Sequence, residues 1–574
     1  MLLESLNQIF LAAVRRAFPG VESPAHAEIT LATDGKFGDY QCNLAMKLAK
    51  QRGEPPRQVA AAIVQNMGEQ PLIGKLEIAG PGFINIHLSP LAIGQCATGV
   101  LRSGGVGLVC PHPAQKIVID FSSPNTAKEM HVGHLRSTII GDCLARLLEA
   151  LGQHVVRLNH IGDWGTAFGM LIAYMRLHAP AVLRGDHPID LPTLVQWYRQ
   201  SKALFDADLQ FRKDSQLQVV ALQGGDPEAI QAWHLICAAS SRAYQEVYDL
   251  LGIKIEERGE SFYQPMLAPL IEELTEKGLI EISGGAKCVF LEGFINRDGE
   301  PLPLMVQKSD GGYNYDTTDL AALKHRMNTE QADRIIVVTD AGQSQHFAMV
   351  IAAGRRAGWF EKRPVRFDHV PFGLVLGADG KKLKTRSGET ERLIDLLDDA
   401  MEQATHIVEE RHPDWSQEER AQAGRIMGVN AVKYSDLSTH RVKDYHYSPE
   451  RMLRFEGNTA PFLLYSYVRA KSILRKLPAS SGDHPIIIRE LSELRLAILL
   501  LQFPETLLSV VEDLMPHRLA DYLYRLAETF NAFFRDCRVE GSPEQESRAG
   551  LVQLTERILG RGLQILGLEL LERM

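Results

Sequence analysis

The sequence predicts a multidomain protein: a doubly wound α/β domain with a parallel sheet, carrying an insertion, between a small N-terminal α+β domain and an all-α C-terminal domain. Three observations predict it. The 574-residue length exceeds one ordinary core. Short apolar strands alternate with helical patterns after Lys116, as parallel α/β sheets require. From about Asp395 onward the strand signal gives way to nearly continuous helical periodicity.

Taken in order, helical spacing covers Leu2 to Phe18. The Gly-rich turn DGKFGDYQCN leads into the helical NLAMKLAKQRGEPPRQVAAAIVQNM, and EIAGPGFINIHLS alternates like a strand. The Gly and Pro content of SGGVGLVCPHPAQ marks a linker near 103–115. KIVIDFSS then reads as a buried strand, HLRSTIIGDCLARLLEALG as an amphipathic helix and HVVRLNHIGD as a second strand, together one βαβ unit. DRIIVVTDA and VRFDHVPFG add strands on either side of helical HFAMVIAAGRRAGW. Between the halves, the polar and helical block at 180–301 reads as an insertion, with GGAKCVFLEGF a small β element inside it. The expected domains are 1–108, 109–394 and 395–574. In such a sheet, ligands sit at the carboxyl ends of the strands.

Composition narrows the class. A hydrophobic fraction of 45% and a charged fraction of 23% are ordinary for a soluble globular chain. No uninterrupted apolar run has the length of a membrane span, so no membrane partner is expected. Arg15 and Arg16 follow the first apolar stretch, the reverse of a signal peptide. Seven dispersed cysteines without a CxxC spacing argue against a disulfide framework or a zinc site and for the cytoplasm. The net charge of −9 does not point to nucleic acid, although a local basic surface would suffice for one.

The chemistry concentrates in SSPNTAKEMHVGHLRSTIIGD, from Ser122 to Asp142, where a strand hands over to a helix. Gly133 permits close backbone approach, the new helix offers free N–H groups to an anion, and His131 and His134 can donate hydrogen bonds to phosphate oxygens. This suits ATP, held by the HVGH turn including Val132, with its adenine over Gly133 and its phosphates near the histidines. A bare HxGH is more often a helix start with two surface histidines; the strand before it, the helix after it and the Ser-Pro-Asn turn favour the nucleotide.

HVGH resembles the HIGH signature of class I aminoacyl-tRNA synthetases, and the longer string closely resembles the version found in arginyl-tRNA synthetases. The resemblance spans essentially the whole chain: NHIGDWGTAFGML, YNYDTTDLAAL, VVTDAGQSQHF, GNTAPFLLYSYVRAKSIL and the closing LGLELLERM all resemble blocks of that family. It implies a Rossmann-like class I catalytic domain, an N-terminal domain that contacts the tRNA elbow, and a helical stem-contact and anticodon-binding region. The implied reaction activates L-arginine with ATP, helped by Mg2+, and transfers it to the terminal adenosine of the cognate tRNA. A monomer that needs tRNA before it activates arginine is the family default.

Carried over residue by residue, the resemblance implies that Asp120, Tyr315 and Asp319 read the arginine side chain. A planar guanidinium calls for acceptors of a bidentate fork, and the i, i+4 spacing of Tyr315 and Asp319 puts both on one helix face. The family often has Glu at the Asp120 position, so the reach here is shorter. Asn125 and Gln343 match positions that hold the amino-acid end. No enzyme nucleophile is needed, so catalysis is positioning and charge stabilisation. The second class I signature, KMSKS, corresponds here to ADGKKLKTRSGE, where Thr385 stands in place of the second lysine. The resemblance then gives Lys128 the missing catalytic charge, with Lys381, Lys382, Lys384 and Arg386 forming a basic loop over the phosphates. Tyr465, Arg469 and Lys471, with Tyr467 beside them, mix aromatic and basic groups in a way that suits an anticodon loop. A cysteinyl enzyme, the nearest rival, usually carries zinc-binding residues that this chain lacks.

Overall fold

A computed structural model describes residues 1–20, 24–32, 35–108, 113–184, 187–361, 363–377, 379–381, 383, 391–478 and 484–574. The N-terminal unit packs helices Leu2–Ala17, Leu44–Arg52 and Pro56–Gln65 with a four-stranded antiparallel sheet. The segment expected as one strand is a hairpin. Ile73–Ala79 pairs antiparallel with Phe83–Leu88 around Gly80-Pro81-Gly82, whose glycines have φ of +52° and +155°. Proline ends the first strand, and both glycines take a backbone that an L side chain resists.

The α/β domain is built on β1 (Lys116–Asp120), α1 (Val132–Ala150), β2 (His154–Asn159), α2 (Pro227–Leu251), β3 (Glu256–Glu257), α3 (Glu260–Glu276), α4 (Tyr315–Asn328), β4 (Arg334–Asp340), α5 (Ser344–Arg356) and β5 (Arg366–Phe372). The sheet is all parallel in the order β5-β4-β1-β2-β3. Ile117, Val118 and Ile119 are buried, as the unbroken apolar run of a doubly covered strand demands. The chain leaves β1 toward β2 but reaches β5 from β4. The crevice outside Asp120 and Asp340 is therefore the topological switch point.

Two expectations change. Helix α1 begins at Val132, two residues before the expected start, so His131 is its N-cap. It is buried nearly all round rather than amphipathic, because C-terminal helices cover the side away from the sheet. The 180–301 block is not one uninterrupted insertion either. Its helical part runs through α2, then β3 rejoins the central sheet, and a separate three-stranded antiparallel sheet extends to Gln307. A two-residue edge strand leaves no periodic signal in a sequence.

The C-terminal region continues with α6 (Gln417–Leu437), α7 (Ala460–Lys476), α8 (Phe503–Asp513), α9 (His517–Asp536) and α10 (Gln545–Ile565). By mean hydropathy and length alone, Leu491–Asp513 could cross a membrane, although Glu493, Arg495 and Glu505 interrupt it and no uninterrupted apolar run is that long. Here it is two helices broken at Gln502, with Leu496, Leu500, Phe503, Leu507 and Val510 buried in the core. One short strand interrupts the helices: Tyr445–His446 pairs in parallel with Val375–Leu376, just past the end of β5. The six described cysteines are free.

Candidate active site

The switch point opens as a cleft of about 520 Å³, lined by the β1–α1 loop, the first turn of α1 and the turns after β4 and β5. The β1–α1 loop is strained. Ser122, Ser123 and Ala127 have φ of +74°, +51° and +60°, a conformation that costs about 1–3 kcal/mol per non-glycine residue. The surroundings hold it. The Ser122 N–H donates to Ser137 Oγ (2.9 Å), the Ser123 N–H to Asn159 Oδ1 (2.9 Å) and the Ala127 N–H to Ser240 Oγ (3.0 Å). The Tyr244 hydroxyl donates to the carbonyls of Asn125 (2.7 Å) and Lys128 (2.9 Å), and that of Tyr248 lies 2.8 Å from Ser122 Oγ. Ser240, Tyr244 and Tyr248 form one face of α2 at i, i+4, i+8 spacing. The spacing of this hydroxyl stripe is visible in the sequence, but the loop it braces is not.

At the head of α1 the two histidine rings cap backbone N–H groups of the first turn. The Gly133 N–H donates to His131 Nδ1 (3.0 Å), and the His131 N–H donates to His134 Nδ1 (3.1 Å). Backbone N–H groups only donate, so both Nδ1 atoms are unprotonated and each ring carries its proton on Nε2. Burial pushes the His134 pKa down to about 3, with His131 and Lys128 adding to the effect. His131 is lowered by burial and then by Lys128. At neutral pH the site thus holds two uncharged imidazoles of fixed tautomer, each with an Nε2–H to donate. Gly133 has a specific reason to be glycine: a Cβ there would lie 2.7 Å from His131 Cε1 and displace the ring.

The acidic wall lies beyond β4. Tyr315, the first residue of α4, is 58% exposed with its ring 5.0 Å from that of His346. His346 Nε2 donates to Asp319 (2.6 Å), and its Nδ1 lies 3.1 Å from Asp316. Although burial opposes the charge, the two carboxylates raise the His346 pKa to about 9. Nearby, burial and then the charges of Asp319 and Asp163 raise Glu260 to about 8. His346 follows Gln343 by three residues in a stretch already singled out, yet its pairing with two acids on α4 was not foreseen.

The structure brings Asn125, His131, Val132, Gly133, His134 and Gln343 together around the cleft. Tyr315 and Asp319 share the His346 contact. Asp120 is buried at the end of β1, its Oδ2 accepting from Arg326 Nη2 (2.7 Å) and its Oδ1 from Ser123 Oγ (3.3 Å). Lys128 is exposed, with Nζ 5.6 Å from the centroid of the Tyr198 ring. Lys381 is exposed, and its carbonyl accepts from Gly377 N–H (2.8 Å). Lys382, Lys384, Thr385 and Arg386 lie outside the described residues. Just past them, Val132 N–H donates to the Glu391 carbonyl (3.1 Å) and Leu393 N–H to that of Met130 (2.9 Å), so the chain leaving the basic loop is pinned to the HVGH turn. Among the described residues, no group of three or more His, Cys, Asp or Glu side chains could hold a metal ion.

The three remaining candidates lie on α7, in the helical region. Arg469 donates to Asn531 Oδ1 (2.6 Å) and to the Tyr465 hydroxyl (2.9 Å), and Lys471 Nζ donates to Glu572 (2.5 Å). Tyr465 is 38% exposed, whereas Tyr467 is a core residue.

Comparison with known proteins matches the chain to three families in sequence. "Arginyl tRNA synthetase N terminal domain" covers residues 4–88, "tRNA synthetases class I (R), catalytic domain" covers 99–448, and "DALR anticodon binding domain" covers 463–574. The Arginine--tRNA ligase of Protochlamydia amoebophila is 54% identical, with all of both chains covered. That of Rippkaea orientalis is 48% identical over all of this chain and 99% of the relative. Among solved structures, an arginyl-tRNA synthetase of Plasmodium falciparum superposes with a TM-score of 0.87 at 32% identity, covering 100% of this chain and 99% of that one. The arginyl-tRNA synthetase of Thermus thermophilus gives 0.80 at 25% identity, with both chains fully covered.

Proposed function

The chain belongs to the arginyl-tRNA synthetase family, and on that premise we propose how its own residues carry the family's reaction. It is an arginine–tRNA ligase: it activates L-arginine with ATP to arginyl-adenylate and pyrophosphate, then transfers the arginyl group to the 3′-terminal adenosine of its cognate tRNA. The observation that carries the site assignment is the pair of neutral imidazoles, each with a free Nε2–H, at a helix N-terminus on the switch-point cleft.

ATP lies with its base against Val132 and Gly133 and its phosphates toward His131 and His134. The arginine carboxylate attacks the α-phosphorus and pyrophosphate leaves. No proton need move to or from an enzyme group, so neutral donors of fixed orientation suit the step: they stabilise charge on the phosphate oxygens without titrating. Lys128 supplies positive charge from the β1–α1 loop. Lys381, Lys382, Lys384 and Arg386 supply it from the basic loop, Thr385 being unable to. Mg2+ accompanies ATP as part of the substrate, its hard oxygen ligands coming from the phosphates.

The guanidinium is read by Asp319 and Tyr315, and the amino-acid end by Asn125 and Gln343. Asp120, its carboxylate paired with Arg326 and bonded to Ser123, braces the loop behind the pocket rather than offering a free fork. The arriving guanidinium competes with His346 for Asp319, and Asp316 keeps the displaced imidazolium paired. The N-terminal domain meets the tRNA elbow, and α7 meets the anticodon loop through Tyr465, Arg469 and Lys471. For Lys471 this requires exchange of Glu572 for a phosphate. The enzyme acts as a monomer in the cytoplasm.

The test is aminoacylation of total tRNA with each of the twenty amino acids. Arginine alone is expected to charge, and charging by any other would overturn the specificity. ATP–pyrophosphate exchange is expected only with tRNA present; exchange at a comparable rate without tRNA would contradict that part.

A further inference from the structure

The end of α8 docks on the catalytic domain in an unusual way. The last carbonyls of a helix have no partner within it and carry the negative end of its dipole. Here guanidinium groups from β4, β5 and the segment after α6 take them in succession. Arg334 Nη1 and Nη2 donate to the Val511 carbonyl (3.2 Å each), and Arg366 Nη2 donates to that of Glu512 (3.0 Å). Arg441 Nε donates to the carbonyl of Leu514 (2.9 Å), and its Nη2 reaches that of Asp513 (3.5 Å). Leu514 has φ +55°, which ends the helix and turns the chain toward α9.

Arg441 differs from the other two in what it does with its remaining nitrogen. Its Nη1 donates to the Pro371 carbonyl (2.6 Å), next to the last residue of β5 at the cleft. Its own carbonyl accepts from Gly373 N–H (2.9 Å). The segment that follows is stitched to the same cleft wall: Asp444 Oδ1 accepts from Leu374 N–H (2.6 Å), Tyr445 N–H donates to the Leu374 carbonyl (3.1 Å), and His446 Nδ1 lies 3.1 Å from the Gly377 carbonyl. The approach is so close that a Cβ on Gly373 would lie 2.7 Å from the Lys443 carbonyl. Arg136, two residues after His134, donates to that carbonyl from the other side (2.9 Å). One buried guanidinium therefore joins the turn between two tRNA-side helices to the backbone that forms the wall of the cleft and leads into the basic loop.

We propose that Arg441 is a positioning residue for adenylate formation: it sets the cleft wall at 371–377 according to how the α8–α9 turn is seated, and so couples the helical region to the ATP site. This rests on the reading of the cleft as the ATP site. Arg334 is the internal control, because it clamps the same helix end without touching the wall.

The test compares full-length Arg441→Lys and Arg334→Lys. For each, the unfolding midpoint, the tRNA Kd, and kcat and KM for ATP in arginylation are measured well below the midpoint. Both substitutions are expected to lower the midpoint, because lysine's ammonium cannot reproduce the fork that spans the Leu514 and Pro371 carbonyls in Arg441, or the Val511 carbonyl and Asp368 in Arg334. Only Arg441→Lys is expected to raise the ATP KM and lower kcat/KM for ATP, by about tenfold for the loss of one charge-assisted hydrogen bond, with tRNA Kd within about twofold. Equal kinetic changes in both variants, or a parental ATP KM in Arg441→Lys, would overturn the proposal. Should Arg441→Lys not fold, Asp444→Ala, at an exposed position, breaks the wall contact instead. A lowered kcat/KM for ATP would then support the proposal and an unchanged value would overturn it. Failure of the parent enzyme to charge arginine would instead strike at the functional reading itself.

Discussion

Two regions of the α/β domain, the head of α1 and the contact between α4 and α5, use the same side chain in opposite charge states. At the HVGH turn, burial and Lys128 hold His131 and His134 neutral, with the His134 pKa down at about 3. Across the switch point, Asp316 and Asp319 hold His346 protonated, with a pKa of about 9. In the proposed reading the neutral pair meets a polyanion with no charge of its own, so its orientation, fixed by the backbone N–H groups of Gly133 and His131, is what it offers. The charged one is paired with Asp316 and Asp319, the second of which the proposed reading assigns to the substrate guanidinium. Neighbouring groups, not residue identity, decide which role a histidine takes.

The largest effect that would break this comparison is at the neutral end. His134→Ala removes a phosphate donor and also uncaps the His131 N–H, so ATP–pyrophosphate exchange should fall by about 10²–10³-fold, as for loss of one transition-state donor. His131→Ala should cost a similar amount, and the double variant far less than the product, because the two act as one unit. A fully multiplicative double variant would show that the rings work independently. Lys128→Ala should slow activation much more than it weakens arginine binding; an unchanged rate would return Lys128 to an ordinary loop.

At the charged end, Asp319→Asn should raise the arginine KM by about 10–100-fold through loss of a charge-assisted pair. A smaller effect concerns stability. The folded-state pKa of His346 lies above its unfolded value, so its contribution is full below about pH 6.5 and is lost as pH rises through about 9. His346→Gln should flatten that alkaline limb in a denaturant titration while leaving the acid limb alone. His134 has the opposite sign: the unfolded state takes up its proton first, so stability falls as pH drops from about 6.5 toward 3. The smallest change is Tyr248→Phe, which removes a hydroxyl shared by Ser122 and Asn159 and should cost about 1 kcal/mol of stability.

What was legible in the sequence follows from range. The strand-to-helix handover at Asp120–His134 and the i, i+4 pair Tyr315 and Asp319 are local patterns, and local periodicity reads them directly. The hairpin at Gly80–Gly82 is hidden because the alternation on its two sides looks continuous, and only Pro81 between two glycines marks the turn. The Asp120–Arg326 pair spans 206 residues, and no spacing rule reveals such a partner. The bracing of the strained loop by Ser240, Tyr244 and Tyr248, and the arginine-clamped end of α8, depend on how distant elements pack. In each case the residue type was visible and its partner was not.

The most direct test of the opposed charge states is a pH titration of the histidine ring nitrogens by ¹⁵N NMR, assigned with His134→Gln and His346→Gln. His134 should remain neutral, protonated on Nε2, from pH 8 down to below pH 5, while His346 should be an imidazolium at pH 7 and titrate near pH 9. A His134 that titrates near pH 6.5, or a His346 already neutral at pH 7, would contradict the account.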